Sequence, residues 1–283
     1  MPGTLYIVAT PIGNLEDITL RALRVLKEAD LIACEDTRHT RKLLTHYHIS
    51  RPTISYHAHN ERDRSNELIK KLERGLNVAL VSDAGTPLIS DPGLTIVREA
   101  IAQGIQVVPI PGPSAVITGL SASGLPTTEF YFAGFLPAKR AARIARLKEL
   151  ATLKSTVVVY EAPHRIKATM EDVRALFGER ECVVARELTK LHEQFSRGWL
   201  SQLDVPDNLA RGEIVLIIGP FLESRVEQPR QPEMHSIFEQ VQDLMKAEGL
   251  DQKAALKRVA RARGISKSEA YRLMTQERER ASS

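Results

Sequence analysis

Apolar runs and amphipathic stretches alternate along the first 112 residues. The apolar runs TLYIVAT (4–10), DLIACED (30–36), NVALVSD (77–83) and IQVVPIPG (105–112) predict strands. Between them, 18–29, 61–75 and 93–104 carry helical spacing, and Gly75 and Gly104 close the last two. Strands separated by helices of this length predict a mostly parallel sheet with right-handed crossovers. The pattern shifts at SGLPTTEF (123–130). Strand-like runs then recur at 131–137, 155–162, 181–189, 195–203 and 212–220, with helices at 139–153 and 165–177. This second unit reads as mixed α/β with antiparallel strands. ESRVEQPRQPE (223–233) lacks any period and reads as a linker, after which helices are expected at 234–248, 251–262 and 266–277. The expected divisions are therefore 1–122, 123–222, a linker at 223–233, and a helical domain at 234–283.

The expected strands end in unusual chemistry: TPIGN, CEDTR, SDAGTP and PGPSA. In open parallel sheets ligands bind beyond the carboxyl ends of the strands, so these loops are expected to converge on one site. The longest of them, VSDAGTPLISDPG (81–93), holds two aspartates, two glycines and two prolines with no basic residue. Glycines let backbone N–H and C=O groups approach a ligand, and Pro87 and Pro92 pre-set the chain. A phosphate cradle would call for lysine or arginine. Asp83, at the end of its strand, can instead accept hydrogen bonds from a ligand. The bland alternative is a crossover with well-capped turns.

Composition narrows the class. The chain is 43% apolar and 26% charged, as in soluble globular proteins, and no apolar run is long enough to cross a bilayer. No export signal opens the sequence, and two cysteines cannot make a disulfide framework, so a cytoplasmic protein without a membrane role is expected. The net charge of +4 is uneven. Residues 246–283 hold ten Lys/Arg against five Asp/Glu, leaving the rest of the chain near neutral. A basic tail points to nucleic acid, with a solvated helical face as the alternative.

Taken jointly, ATPIGNLEDIT (9–19), CEDTR (34–38), SDAGTPLISDPG (82–93), PGPSA (111–115), YEAPHR (160–165) and RELTK (186–190) resemble the rRNA-methylating branch of the tetrapyrrole methylase superfamily. The resemblance implies a two-domain α/β fold with the cofactor in the interdomain cleft, followed here by a small helix-turn-helix-like domain. It implies S-adenosylmethionine as methyl donor, and 2′-O-methylation of a cytidine in the decoding region of small-subunit rRNA. It also implies a homodimer. The expected cofactor contacts are Pro11, Asp83, Gly85, Thr86, Ser114, Ala115, Tyr160, Leu188 and Ile214. One departure matters: porphyrin-modifying members carry a GxGPGD-type turn after the first strand, where this chain has Pro11-Ile12-Gly13-Asn14-Leu15. That argues against a tetrapyrrole substrate.

Methyl transfer to a ribose hydroxyl needs alignment and a proton acceptor, and no metal. Glu161, Lys190 and Asp36 each close an expected strand within a matching motif and are the catalytic candidates. Arg38, Asn60, His164 and Arg165 are candidate substrate contacts, as are Lys257, Arg261 and Lys267 in the tail. Asp36 and Asn60 also suit simple helix caps. His57 and His59 have a tempting spacing, but no further metal-ligand cluster lies near them in sequence. In the tail, Ser266 and Glu269 have capping-box spacing, and Ala254, Ala255, Val259, Tyr271, Leu273 and Met274 are expected to pack. A helical packing module is the alternative to RNA binding there. Two rival functions stand beside the rRNA methylase: a small-molecule tetrapyrrole methylase, and a nucleic-acid-binding regulator with a nucleotide-sensing body.

Overall fold

In the computed structural model, which describes residues 1–204, 212–221 and 236–281, the early alternation folds into one sheet. Its strands are β1 (Thr4–Val8), β2 (Leu31–Cys34), β3 (Thr53–Ser55), β4 (Val78–Val81) and β5 (Gln106–Ile110). They lie in the order β3-β2-β4-β1-β5, every pairing parallel. The intervening helices are α1 (Leu20–Glu28), α2 (Thr37–His46), α3 (Glu61–Glu73) and α4 (Leu94–Ala102). Side chains alternate across each strand, so the helices divide between two faces. Ala22, Val25, Leu26, Leu43 and Leu44 of α1 and α2 meet Ile32, Ala79 and Val81 on one face. On the other, Leu68, Ile69 and Leu72 of α3, with Ile96 and Ala100 of α4, meet Leu31, Ala33, Val78 and Leu80. Covered on both sides, LIAC and VALV are buried throughout, which is why they read as unbroken apolar runs. Pro109 is tolerated in β5 because that strand is an edge. The three-residue edge strand β3 carries no apolar signal and was not expected from the sequence.

The helix starts are chemically set. The Thr19 hydroxyl accepts from the Ala22 amide, and the Asp36 carboxylate accepts from the Arg38 amide. Helix α4 opens at Gly93, φ +140°, with no side chain of its own to cap it. The Glu61 carboxylate of α3 supplies the cap, accepting from the amides of Gly93 (3.0 Å) and Thr95 (3.1 Å).

A second sheet follows, built from β6 (Phe130–Phe135), β7 (Thr156–Glu161), β8 (Glu181–Arg186), β9 (Gln194–Trp199) and β10 (Ile214–Ile218), in the order β6-β7-β10-β8-β9. The β6–β7 pairing is parallel and the others are antiparallel. Helix α5 (Ala115–Ser121), which follows β5 in the chain, packs Val116 and Leu120 on this second sheet against Val183, Val215 and Ile217. Gly119 permits the approach; a Cβ there would lie 3.3 Å from Val215 Cγ1. The opposite face is covered by α6 (Arg140–Ala151) and α7 (Ile166–Phe177), including Leu147, Leu150, Met170, Val173 and Phe177. Both sheets belong to one compact unit, Met1–Leu222.

Glu223–Ser283 forms the other unit. Its helices are α8 (Ile237–Glu248), α9 (Gln252–Ala262) and α10 (Lys267–Ala281), and the expected linker at 223–233 lies outside the described residues. Ile237, Val241, Ala255, Leu256, Val259, Ala260, Ala270 and Met274 form its core. Ala254 and Tyr271, expected to pack, are exposed: the helix phase that buries Ala255 and Val259, and Ala270 and Met274, turns them outward.

Between α6 and α7 lies a buried ion pair. The Arg143 guanidinium donates to Asp172 Oδ2 from Nε (2.9 Å) and Nη2 (2.7 Å), and Arg140 Nε donates to Oδ1 (3.2 Å). Burial alone would raise the Asp172 pKa; the hydrogen bonds from Arg143 and Arg140 outweigh it and leave it lowered. Asp172→Asn strands a buried guanidinium and is expected to cost about 3–5 kcal/mol, read as a fall in the urea midpoint at neutral pH. In the parent, this carboxylate's contribution is present above pH 3.8 and is lost as the pH falls through its lowered folded value.

Candidate active site

The four loops do converge, and hydrogen bonds join them. The Thr10 amide donates to Gly85 O (2.8 Å) and the Gly85 amide to Thr10 O (3.0 Å). The Asp36 amide donates to Asp83 Oδ1 (3.0 Å), and the Thr86 hydroxyl to Pro113 O (3.2 Å). The loop after β4 is thus stitched to those after β1, β2 and β5. Gly85 holds φ +81°, and a Cβ there would touch Ile12 Cγ2 at 3.4 Å. Further along, Leu88 and Ser90 also hold positive φ, at +72° and +69°. Such conformations cost about 1–3 kcal/mol each outside glycine and cluster at ligand sites.

From the second sheet comes the loop Glu187–Glu193, where Glu187 (φ +49°) and Thr189 (φ +65°) are strained in the same sense. Thr189 Oγ1 accepts from the Asn14 amide at 3.0 Å, closing this loop onto the one after β1. Gly13 is the contact point: a Cβ would come within 2.6 Å of Lys190 Cγ and 2.8 Å of Leu188 O.

Two adjoining cavities result. The larger, about 600 Å³, is lined by residues including Pro11, Gly13, His39, Lys42, Asp83, Lys190 and Glu213. The smaller, about 50 Å³, is lined by residues including Gly85, Thr86, Asp91, Ser114, Ala115 and Tyr160. Ile12, Ala84 and Glu213 border both. Ser114 precedes α5 without a side-chain capping bond. Carboxylates gather here. Asp91 is raised to about 6, chiefly by burial and then by the charges of Glu35, Glu213 and Asp83, against the opposing Ser82 hydroxyl. Glu35 is raised by burial and by Asp83, while His57 acts in the other direction. Burial, with Glu213 and Asp91 nearby, lifts the Tyr160 phenol to about 12, so it remains a neutral donor. Sequence reading missed Asp91 and Glu213: both look like loop or strand-end residues until the fold brings them together.

Of the catalytic candidates, only Lys190 lines a cavity. Its Nζ donates to Glu187 Oε1 at 3.1 Å. Glu161 does not face the cleft. It is fully buried, accepting from the Thr169 hydroxyl (2.6 Å) and its neighbour's amide (2.8 Å), with Arg165 Nε 3.2 Å away. The β7 alternation that turns Tyr160 to the cleft points Glu161 behind it. Asp36 acts as the α2 cap and pairs with the exposed Arg38. Its carboxylate is held well below the usual range by those Arg38 bonds.

Among the substrate candidates, Arg165 is spent on Leu136 O and Pro137 O, so it braces a loop and does not face an RNA. Asn60 likewise braces the 55–60 turn, accepting from the His57 amide and donating to Ser55 O. His164 is exposed but lines neither cavity. Leu188 and Ile214 are buried, at 6% and 1% exposure: Leu188 in the core shared with α5, and Ile214, opposite Glu161 in register, in the core on the other face under α6 and α7. Lys257, Arg261 and Lys267 are exposed on the separate helical unit. Among the described residues no group of three His, Cys, Asp or Glu side chains forms a metal site.

Residues 4–204 match the sequence profile of the tetrapyrrole (corrin/porphyrin) methylases. The chain belongs to this family. It is 46% identical over 277 residues to a Halalkalibacterium halodurans protein named ribosomal RNA small subunit methyltransferase I, covering 97% of this chain and 96% of that one. A Vibrio cholerae protein of the same name is 52% identical over 229 residues, covering 79% and 80%. Among solved structures, the methyltransferase CobJ aligns with TM-score 0.60 at 19% identity over 79% of this chain and 97% of its own. The Thermus thermophilus uroporphyrin-III C-methyltransferase complexed with S-adenyl homocysteine aligns with TM-score 0.52 at 19% identity, over 77% and 97%. These two likenesses establish the shared fold.

The Gly13 contact is testable. Gly13→Ala must push back both the Lys190 stem and the Leu188 carbonyl, an overpacking expected to cost about 1–3 kcal/mol in urea unfolding. An unchanged midpoint would mean that the two loops do not touch.

Proposed function

We propose that this protein methylates small-subunit ribosomal RNA, taking the methyl group from S-adenosylmethionine and placing it on the 2′-hydroxyl of a cytidine in the decoding region. The observation that carries the reading is the pair of adjoining cavities, one built from backbone and carboxylates, the other large enough for a nucleoside. The names of the relatives supply the substrate class. The porphyrin-methylating alternative is disfavoured by Pro11–Leu15, where that branch has a glycine-rich turn. A purely regulatory nucleic-acid binder leaves Lys190 and Glu213 without a task. We further place the protein in the cytoplasm as a homodimer.

The residues fit the methyl donor. Its sulfonium and amino group are cationic, and Asp83, Asp91 and Glu213 border the two cavities. The Gly85–Thr86 and Ser114–Ala115 backbone lines the smaller one, with the Tyr160 ring as a wall. When bound, the donor supplies an electrophilic methyl group. The protein orients the ribose hydroxyl and accepts its proton. Lys190 lies on the acceptor side and can hold the hydroxyl oxygen as its charge develops, while Glu213, shared by both cavities, is the carboxylate placed to take the proton.

Incubating the protein with methyl-labelled S-adenosylmethionine and small subunits, naked rRNA or uroporphyrinogen tests the reading; label in the porphyrin alone would overturn it. Lys190→Met and Glu213→Gln should slow single-turnover methylation at saturating substrate by about 10²-fold or more. Affinity for the donor should change little in Lys190→Met. Donor affinity, measured by calorimetry, should also weaken as the pH falls through about 6 and Asp91 takes up its proton. Asp91→Asn should flatten that dependence; if it leaves the curve as in the parent, another group is titrating.

A further inference from the structure

Outside the cleft, the strongest unassigned feature is helix α2. Between Asp36 and Glu61 the sequence contains no carboxylate, yet it holds Arg38, Arg41, Lys42 and Arg51 and five of the chain's eight histidines. A groove of about 560 Å³ runs along α2, lined by Arg38, Arg41, Lys42, Thr45 and His46. These residues recur every three or four positions and so share one helix face. All five are exposed, and among the described residues no carboxylate pairs with Arg41 or Lys42. Lys42 also lines the large cavity, so groove and cavity share a wall.

We infer that this groove is the track for a single RNA strand on one side of the acceptor nucleotide, the α2 cations holding its phosphates while the nucleoside enters the cavity. This inference rests on the methyltransferase reading above. Charge segregation supports it. The cavity is lined by Asp83 and Glu213, and its inner cation, Lys190, is ion-paired to Glu187 at 3.1 Å. Its rim along α2 instead carries cations, with no carboxylate on Arg41 or Lys42 among the described residues. A nucleotide is therefore favoured in one orientation: ribose inward, phosphates outward along α2. From Arg38 to His46 the helix rises roughly 12 Å, enough for more than one phosphate. The α2 cations lie in the same compact unit as the cavity, so they act at the acceptor itself; the basic tail belongs to another unit.

The test compares Arg41→Gln and Arg38→Gln/Arg41→Gln with a control, Lys70→Gln/Arg98→Gln, on exposed positions of α3 and α4 across the sheet. The probes are assembled small subunits and a deproteinised rRNA fragment, titrated across salt concentrations, with unfolding curves confirming that each variant folds. Arg41→Gln should reduce the log–log salt slope for both probes by about 0.7–0.9, and the double variant should reduce it further. Methylation should show a raised KM with kcat unchanged. Parental slopes in both variants, or an equal loss in the control, would overturn the track. So would a loss confined to assembled subunits, since the groove would then dock a ribosomal protein. If the parent methylates neither probe while the α2 variants still lose RNA slope, the functional reading falls and the groove stands as an RNA site.

Discussion

The reciprocal backbone pair between Thr10 and Gly85 is the constraint on which the rest of the cleft depends. It ties the loop after β1 to the loop after β4 with two amide–carbonyl bonds, and so fixes where Asp83 and Thr86 project. Those residues then reach outward, Asp83 to the Asp36 amide and Thr86 to Pro113 O. The far end of the β4 loop is pinned separately, by Glu61 capping α4 at Gly93 and Thr95. Held at both ends, the intervening backbone can sustain left-handed conformations at Leu88 and Ser90 that an untethered loop would relax. The strain is thus held by hydrogen bonds at both ends of the loop.

The wall from the second sheet is rigid for a related reason. The strained loop Glu187–Glu193 rests on the chain at Gly13, where no side chain larger than hydrogen fits. Thr189 and Asn14 lock that contact, which sets Lys190 in the large cavity. Helix α5 completes the coupling: it leaves the first sheet in sequence but packs on the second, so the cleft loops and the far wall share a core. A hinge between two independent halves is not what this packing describes.

Charge is sorted as carefully as shape. Carboxylates line the cleft, where burial first, and then the charges of Glu35, Glu213 and Asp83, raise Asp91 to about 6. Cations occupy α2, directly beyond the rim. A carboxylate-bearing cleft and a cationic helix face thus adjoin along Lys42, which lines both. Lys190 stands as a cation at the cavity wall, tethered to Glu187 at 3.1 Å.

Much of this was legible in sequence. Periodicity marks the parallel sheet, because LIAC and VALV are buried on both faces and therefore cannot alternate. The loop motifs announce convergence, because strands of a parallel sheet all present their carboxyl ends on the same edge. What sequence could not settle was the direction and neighbourhood of individual side chains. Glu161 and Tyr160 are adjacent in a matching motif, but strand alternation sends one to the cleft and the other into the core beside Thr169. Asp36, Asn60 and Arg165 have polar groups that suit catalysis or binding, and local backbone amides and carbonyls claim them first. Asp91 falls within the 82–93 motif and Glu213 within the last strand-like run, but neither position shows by itself that it faces a cavity, since that depends on partners far away in the chain. Local composition thus determined most of the elements and the edge on which the site forms, while the class of ligand came from the joint resemblance of the loop motifs. Which carboxylate is spent on structure and which is left facing the cavity was decided by tertiary packing, because that depends on which long-range partners reach each group first.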